Sequence, residues 1–304
     1  MKTEIKCPNC KSQEVVKRGF FQTEVHGKQQ RYFCKICGKK FIEQTPFYRI
    51  RNKSEKITLC LDLFFKGIST RQVQSHLQAF YPHNSSHKTI YLWVVKYSNL
   101  ISNYTNNLKL NVGKELQIDE MEIGSRKSRY RGWFIDSIDT ETRFMVSSEF
   151  SKKRDLKEVK RVLSQAKKKT ENQVETITSD GWLAYPKAVQ KTFTIKKKSN
   201  TKKYGVNHQV LNASQGDGFN IKIERLHNSV RHRIKTFRGF HGNVNSDNSI
   251  MRGFEIHYNF IRPHLALKGR TPSDLATDIK LMENNKGLEL INLSSSKYQF
   301  SKKE

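Results

Sequence analysis

Residues 115–123 read ELQIDEMEI and residues 131–150 read RGWFIDSIDTETRFMVSSEF. Both stretches are rich in β-branched and aromatic residues, and Asp139-Thr140-Glu141-Thr142 supplies a turn between the halves of the second, so a strand followed by a hairpin is expected. Downstream, DLKEVKRVLSQAKKK (155–169) carries Leu156, Val159, Leu163 and Ala166 on one helical stripe, with Asp155 and Glu158 marking its start. VETITSD is a short strand ending at Asp180. In IKIERLHNSVRHRIKTFRGF (221–240), Ile223, Leu226, Val230, Ile234 and Phe237 fall within an arc of about 80° at 100° per residue, which predicts a strong amphipathic helix. NSDNSIMRGFEIHYNFI is a further helix stopped by Pro263, and Thr271-Pro272 opens another with Thr as N-cap and Pro in the first turn. Strands alternating with helices over 112–284 predict an α/β layer fold. From 285 the text turns polar and reads as a frayed tail, 285–304.

Upstream, residues 50–105 read as helices. Ile57, Cys60, Leu61, Phe64 and Phe65 recur at helical spacing, Gly67 ends that helix, and Ser69 with Gln72 forms a capping box for the next. A third helix follows HNSS, with Ile90, Trp93, Val94 and Tyr97 on its stripe. This is the pattern of a helix-turn-helix, whose third helix would offer Lys88, Thr89 and Lys96 to a groove or to phosphates. A three-helix spacer is the plainer alternative.

Residues 1–45 hold Cys7-Pro-Asn-Cys10 and Cys34-Lys-Ile-Cys37, two C-x-x-C pairs separated by 23 residues. Two such tight turns complete a tetrahedral Zn²⁺ site, and the alternating segment between them, with Gly27 at its tip, predicts a zinc ribbon. Four thiolates leave no open position, so that zinc would be structural. Cys60 reads as a core thiol.

Charge narrows the function classes. The 304 residues include 56 Lys+Arg against 28 Asp+Glu, a formal net charge of +28, which attracts nucleic acid or another polyanion. No apolar run approaches the ~18 residues of a membrane span, and the start, MKTEIKCPNC, lacks the apolar stretch of a secretory signal. Paired cysteines with metal spacing favour a reducing cytosol over a disulfide framework, so a cytoplasmic, nucleoid-associated protein is expected.

Three acids sit where chemistry can use them: Asp119 within a strand, Asp180 at the end of another and Glu224 in the first turn of the 221–240 helix. Carboxylates converging from such elements suit two Mg²⁺ ions, or Mn²⁺, for an in-line phosphoryl displacement. Arg231 lies two turns beyond Glu224 on nearly the same face, and Lys235 and Arg238 continue it as phosphate contacts. Glu120, Glu122, Asp136, Asp139 and Asp217 compete for the acid roles; Glu120 does so most directly, because a one-residue slip would exchange it with Asp119. Among the aromatic residues interleaved with cations (Tyr130, Trp133, Trp182, Tyr185, Phe237, Phe240), Trp182 is the best placed to stack on a base, two residues past Asp180.

The ordered series CPNC…CKICGKKF, KTIYLWVVKY, QIDEM, TSDGWLAYPKA, IERLHNSVRHRIKTFRGF and HYNFIRPHLALKGRTP resembles the prokaryotic insertion-sequence transposases of the Asp-Asp-Glu class, most closely the group that forms cointegrates. The resemblance covers nearly the whole chain. It implies an RNase H-like core with Asp119 on the first strand, Asp180 after the fourth and Glu224 on a following helix, all three binding metal. It implies DNA strand cleavage and transfer of the 3′-hydroxyl, acting on element ends and target DNA in a dimer or larger assembly. Arg231 stands where the family has a basic residue two turns after the Glu. Sixty residues separate Asp119 from Asp180 and 43 separate Asp180 from Glu224, the second gap being longer than in many relatives. Arg262-Pro263-His264 also recurs in such enzymes, and its plain reading is a helix stop. Two alternatives stay open: a DNA-binding regulator with an inactive core, and a nuclease that cuts without joining.

Overall fold

The computed structural model describes residues 5–81, 85–124, 132–171, 173–196, 202–211, 220–236 and 244–301. Strands β1 (Val15–Thr23), β2 (Gly27–Cys34) and β3 (Lys40–Ile42) form a small antiparallel sheet in that order. Gly27 turns the first hairpin at φ +64°, a conformation that costs glycine little. Helices α1 (Ser54–Phe65), α2 (Thr70–Phe80) and α3 (His87–Thr105) follow. Ser69 and Gln72 cap α2 reciprocally as the sequence indicates, and Ser86 caps α3 through the backbone N–H of Thr89.

The central sheet is mixed. Strands β4 (Glu115–Ile123), β5 (Gly132–Asp139) and β6 (Met145–Ser151) pair antiparallel, with the expected turn at 140–142 joining the last two. After α4 (Leu156–Thr170) the chain adds β7 (Thr176–Ser179) parallel to β4. Helix α5 (Ala184–Phe193) and a short hairpin, β8 (Thr194–Lys196) with β9 (Lys202–Tyr204), lead to β10 (Asn207–Val210), which pairs parallel with β7. The strand order is β10-β7-β4-β5-β6. Next come α6 (Ile221–Thr236), α7 (Val244–Ile256) running on through a π-turn at His257–Ile261, α8 (Pro272–Ala276) and α9 (Lys286–Ser301).

Successive strand side chains point to opposite faces, and this alternation assigns the core. Met121 and Ile123 of β4 join Phe134 and Ile138 of β5 beneath α6 and α7, through Ile223, Leu226, Val230 and Phe254. Leu116 and Ile118 point the other way, towards Val159 and Leu163 of α4 and Tyr185 of α5. The result is an α/β sandwich of helix, sheet and helix. Phe64, Phe65 and Val94 of the N-terminal helices belong to the first of these clusters, so α1 and α3 are packed onto the core. Gly253 of α7 makes the closest approach. A Cβ there would stand 2.2 Å from the Phe65 ring and 2.3 Å from Ser98 Oγ, so only glycine lets α7 lie this near α1 and α3.

The expectation of a frayed tail from 285 is overturned. Residues 286–301 form α9, and its Leu290 and Ile291 are fully buried in the core shared with α1 and α3. The polar spelling is a helix with a narrow apolar stripe; Asn285 accepts a hydrogen bond from Leu288 N–H at its start and donates to Thr58 of α1.

Candidate active site

Asp119 lies on β4 on the face that carries Gln117 and Met121, beneath α6. Its carboxylate accepts a hydrogen bond from the Glu120 backbone N–H at 2.8 Å. Asp180 directly follows β7; its Oδ1 accepts from the Trp182 N–H at 2.9 Å, which fixes the turn out of the strand. Parallel pairing places Gln117 beside Thr178, so Asp119, midway along β4, stands level with Asp180 just past the end of β7. Asp119, Glu120 and Asp180 each bring one carboxylate oxygen within 4.8 Å of the others, a group that could hold a divalent cation.

Electrostatics agree with a cation site. Burial pushes the Asp119 carboxyl up to about 7; the approach of His227 opposes this, and the neighbouring Glu120 and Asp136 add to it. Glu120 is raised by burial as well, against the pull of its partners. Those partners lie on the opposite face of β4: the Tyr185 hydroxyl donates to Glu120, and the Arg154 guanidinium pairs with it. Arg154 also lies over the rings of Trp182 and Trp133, 4.2 and 5.1 Å from their centroids.

Helix α6 is pinned to the Asp119 face at two points. The Gln117 side-chain oxygen accepts from the backbone N–H groups of Lys222 and Ile223, both at 3.2 Å, satisfying free donors of the first turn. One turn on, His227 is buried between two carboxylates, Nε2 2.7 Å from Asp136 and Nδ1 3.5 Å from Asp119. Asp119 and Asp136 are direct cross-strand partners, so one imidazole ties β4, β5 and α6 together. Desolvation works against the imidazolium, but Asp136 and Asp119 outweigh it and His227 titrates above its ordinary value. The second oxygen of Asp136 is buried with no hydrogen-bond partner.

Of the three predicted acids, the structure gathers Asp119 and Asp180. Glu224 is exposed on the first turn of α6, between the two pins, and is not in the 4.8 Å group; Glu120 occupies the third place there. Arg231 is exposed on α6, its guanidinium donating to Asn228 at 3.3 Å. Lys235 lies on α6, but its side chain, like Arg238, Tyr130, Asp217, Phe237 and Phe240, lies outside the described residues. Trp182 is half-buried and meets Tyr185 edge-on, with Arg154 against its face. On α3, Lys88 is exposed, Thr89 shares its hydroxyl with the Ser86 cap, and Lys96 donates to the Pro46 carbonyl at 3.1 Å. His264 bonds the Tyr258 carbonyl at 3.0 Å, the structural part its plain reading expects. Sequence reasoning missed His227, Gln117 and Arg154. A signal existed for the first, since His227 falls about 40° from Ile223, at the edge of the apolar arc of its helix.

The four paired cysteines gather at the other end of the chain. Cys7, Cys10, Cys34 and Cys37 bring their Sγ atoms within 4.8 Å of one another, with Cys7–Cys37 and Cys10–Cys34 both at 3.5 Å. Each C-x-x-C turn closes with the same backbone hydrogen bond, Lys11 N–H to Cys7 O and Gly38 N–H to Cys34 O. No cysteine is in a disulfide, and the set could hold zinc.

Residues 116–264 match the family model of the DDE domain of IS240-type transposases. The stretch runs from the second residue of β4 to His264 and contains the acid cluster and both pins of α6. The chain is accordingly a transposase of the Asp-Asp-Glu class, a polynucleotidyl transferase of DNA transposition or integration. Within that class the resemblance is to the IS240 type, through the matched 149 of the 304 residues. No curated protein matches the chain. Similar solved structures include the HTLV-2 integrase catalytic core domain in complex with magnesium, in its dimeric form, with TM-score 0.39, 17% identity, and coverage of 54% of this chain and 97% of that one. Another is the simian T-cell lymphotropic virus intasome in complex with the PP2A regulatory subunit B56 gamma, with TM-score 0.40, 13% identity, and coverage of 66% and 69%. No described helix is long and apolar enough to cross a membrane.

Proposed function

We propose that the chain cleaves DNA at the ends of an insertion sequence and joins the resulting 3′-hydroxyls to target DNA, with Asp119, Asp180 and Glu224 as the metal-binding acids of an RNase H-like core. The observation that carries the reading is the pair Asp119–Asp180, two carboxylates from adjacent strands, the first half-buried and held up at about 7, with no cation but His227 beside it among the described residues. Such a donor set fits a hard divalent ion that takes oxygen ligands. The strand order, three antiparallel strands followed by two parallel ones, supports the RNase H-like reading.

For the third acid, Glu224 is favoured over Glu120. Glu120 faces away from α6 and is engaged by Arg154 and Tyr185. Glu224 lies between Gln117 and His227, the two contacts that set α6 against the Asp119 face, and no side-chain partner engages it among the described residues. Bound Mg²⁺ or Mn²⁺, two ions in this reading, would activate the attacking oxygen and stabilise the leaving one. The protein's own part is to fix the carboxylates. His227 and Asp136 hold Asp119, the Trp182 N–H holds Asp180, and the exposed Arg231, with Lys235 and Arg238 beyond it, takes DNA phosphates.

Residues 1–45, as a zinc ribbon with one structural ion, and the helices of 50–105 would recognise the element ends, and 112–284 would carry out the chemistry. Handling two ends together calls for a dimer or larger assembly, working on DNA in a prokaryotic cytoplasm. The test compares Glu224→Gln with Glu120→Gln in a strand-transfer assay on duplexes carrying the element ends. Glu224→Gln is expected to abolish Mg²⁺-dependent cleavage and joining while end binding persists, and Glu120→Gln to retain both. The reverse pattern would move the third acid to β4, and cutting without joining by the parent chain would make it a nuclease.

A further inference from the structure

A cleft of about 1240 Å³ opens between α1 and α3 on one side and α7, its π-turn and the start of α9 on the other, away from the acid cluster. Seven cationic side chains line it against two acids. One of those acids, Asp62, is already paired with Lys66 and His257. Two of the cations, Arg233 of α6 and Arg262 beyond the π-turn, lie near enough for each guanidinium charge to act on the other, and neither has a carboxylate partner within ion-pair distance among the described residues. Burial and the neighbouring Arg262 pull Arg233 below its ordinary value, against the opposing pull of Asp62.

The floor is apolar, built from Leu59, Leu61 and Phe65 of α1 with Ile256 and Ile261 opposite, and Tyr81 stands exposed at the edge. Ser98 of α3 also lines it, 3% exposed, with a hydroxyl that has no hydrogen-bond partner. A cationic rim over an apolar and aromatic floor is the chemistry of unpaired nucleotides, whose bases stack and whose phosphates pair with Arg and Lys. A duplex shields its bases inside and would leave such a floor uncovered. Arg233 is nine residues beyond Glu224 on the same helix, about 14 Å along its axis at 1.5 Å per residue and about half a turn around it at 100° per residue, so the cleft opens on the other side of α6 from Glu224. That is a span of a few nucleotides.

We propose that this cleft binds a short single-stranded DNA segment, its phosphates on Arg233 and Arg262 and its bases over the α1 floor. It would hold a strand that leaves the acid site and crosses α6 to its far side. The assignment rests on the reading of the chain as a DNA-processing enzyme, but binding in the cleft needs neither Mg²⁺ nor the acids.

The test is fluorescence anisotropy of the full chain with a labelled oligothymidylate and with a blunt duplex, both without added Mg²⁺. Arg233→Glu with Arg262→Glu is expected to weaken oligothymidylate binding at least tenfold and to lower its salt dependence, with duplex binding changed less than about threefold. Arg233→Lys with Arg262→Lys should keep most of the oligonucleotide affinity. Lys160→Glu with Lys168→Glu on exposed α4 controls for net charge and should leave the preference for single strands intact. Should the doubly reversed chain melt early, Lys53→Glu with Lys286→Glu at the rim carries the same expectation. Unchanged oligothymidylate binding in a folded variant would overturn the proposal, as would equal loss on single and double strands. So would a change in oligomeric state, which would assign the cleft to a second copy. Strand cleavage that survives in Asp119→Asn would instead overturn the catalytic reading and leave the cleft untouched.

Discussion

The two metal-type groups of this chain are built on opposite plans. At the N-terminal end, four sulfurs come from two similar tight turns, each closed by its own backbone hydrogen bond, and the second turn grows from the end of β2, where Cys34 pairs with Val15 of β1. In the core, the acids come from strands nearly sixty residues apart, and their neighbours are other side chains: His227, Asp136, Trp182 and Gln117. A site that supplies every ligand locally is fitted to hold an ion and stabilise a small fold. A site that assembles carboxylates across a sheet leaves coordination positions open for a substrate.

The largest effect expected from breaking this contrast is at the acids. Asp119→Asn or Asp180→Asn should reduce Mg²⁺-dependent strand cleavage by about a thousandfold or more, with thermal stability and end binding preserved, as read by gel assay and melting. Cys10→Ser or Cys37→Ser should do the opposite. Elemental analysis should fall from about one zinc per chain to none, residues 5–45 should lose protection in hydrogen exchange, and end binding should be lost. His227→Gln should lie between these. A partner that orients a metal ligand commonly accounts for about 10- to 100-fold in affinity or rate, so calorimetry should show weaker Mn²⁺ binding of that order while the fold melts within a few degrees of the parent.

The smallest effect is in pH. Because burial holds the Asp119 carboxyl at about 7, well above an ordinary carboxylate, the folded chain keeps this proton at pH values where the unfolded chain has lost it. The metal-free fold should therefore lose stability as pH rises through the window from 3.8 to about 7. Below about 7 a divalent ion must displace the proton, so its affinity should fall with acidity, by at most about tenfold per pH unit for one proton. Calorimetric titrations at pH 6 and pH 8 would show this, and equal affinities would mean that Asp119 is not a ligand.

Much of this was legible in the residues. The cysteine pairs, the hairpin around 139–142, the cap at Ser69 and the apolar arc of α6 are local signals, each complete within one turn or one strand pair. What escaped notice was set by partners. Strand β10 spells Asn-His-Gln-Val, a poor strand by composition, and forms because the free edge of β7 offers it a parallel ladder. Helix α9 hides its two buried apolar positions, Leu290 and Ile291, in a polar run whose third buried residue among those described is Ser294, because only those two apolar side chains join the core with α1 and α3. The acids were found as residue types on the right elements, and the choice between Asp119 and Glu120 stayed open. The period of two separates Asp119 from Glu120 by face, but only the folded chain shows that Arg154 and Tyr185 engage one face and α6 the other.

Helix α3 runs unbroken for 19 residues, about 28 Å at 1.5 Å per residue. Lys88 and Thr89 are at its tip, and its buried flank rests against α7 and α9. Such a rod has no joint. At Gly253 it meets α7 with no room for a side chain between them, so the rod and the catalytic half share one packed seam.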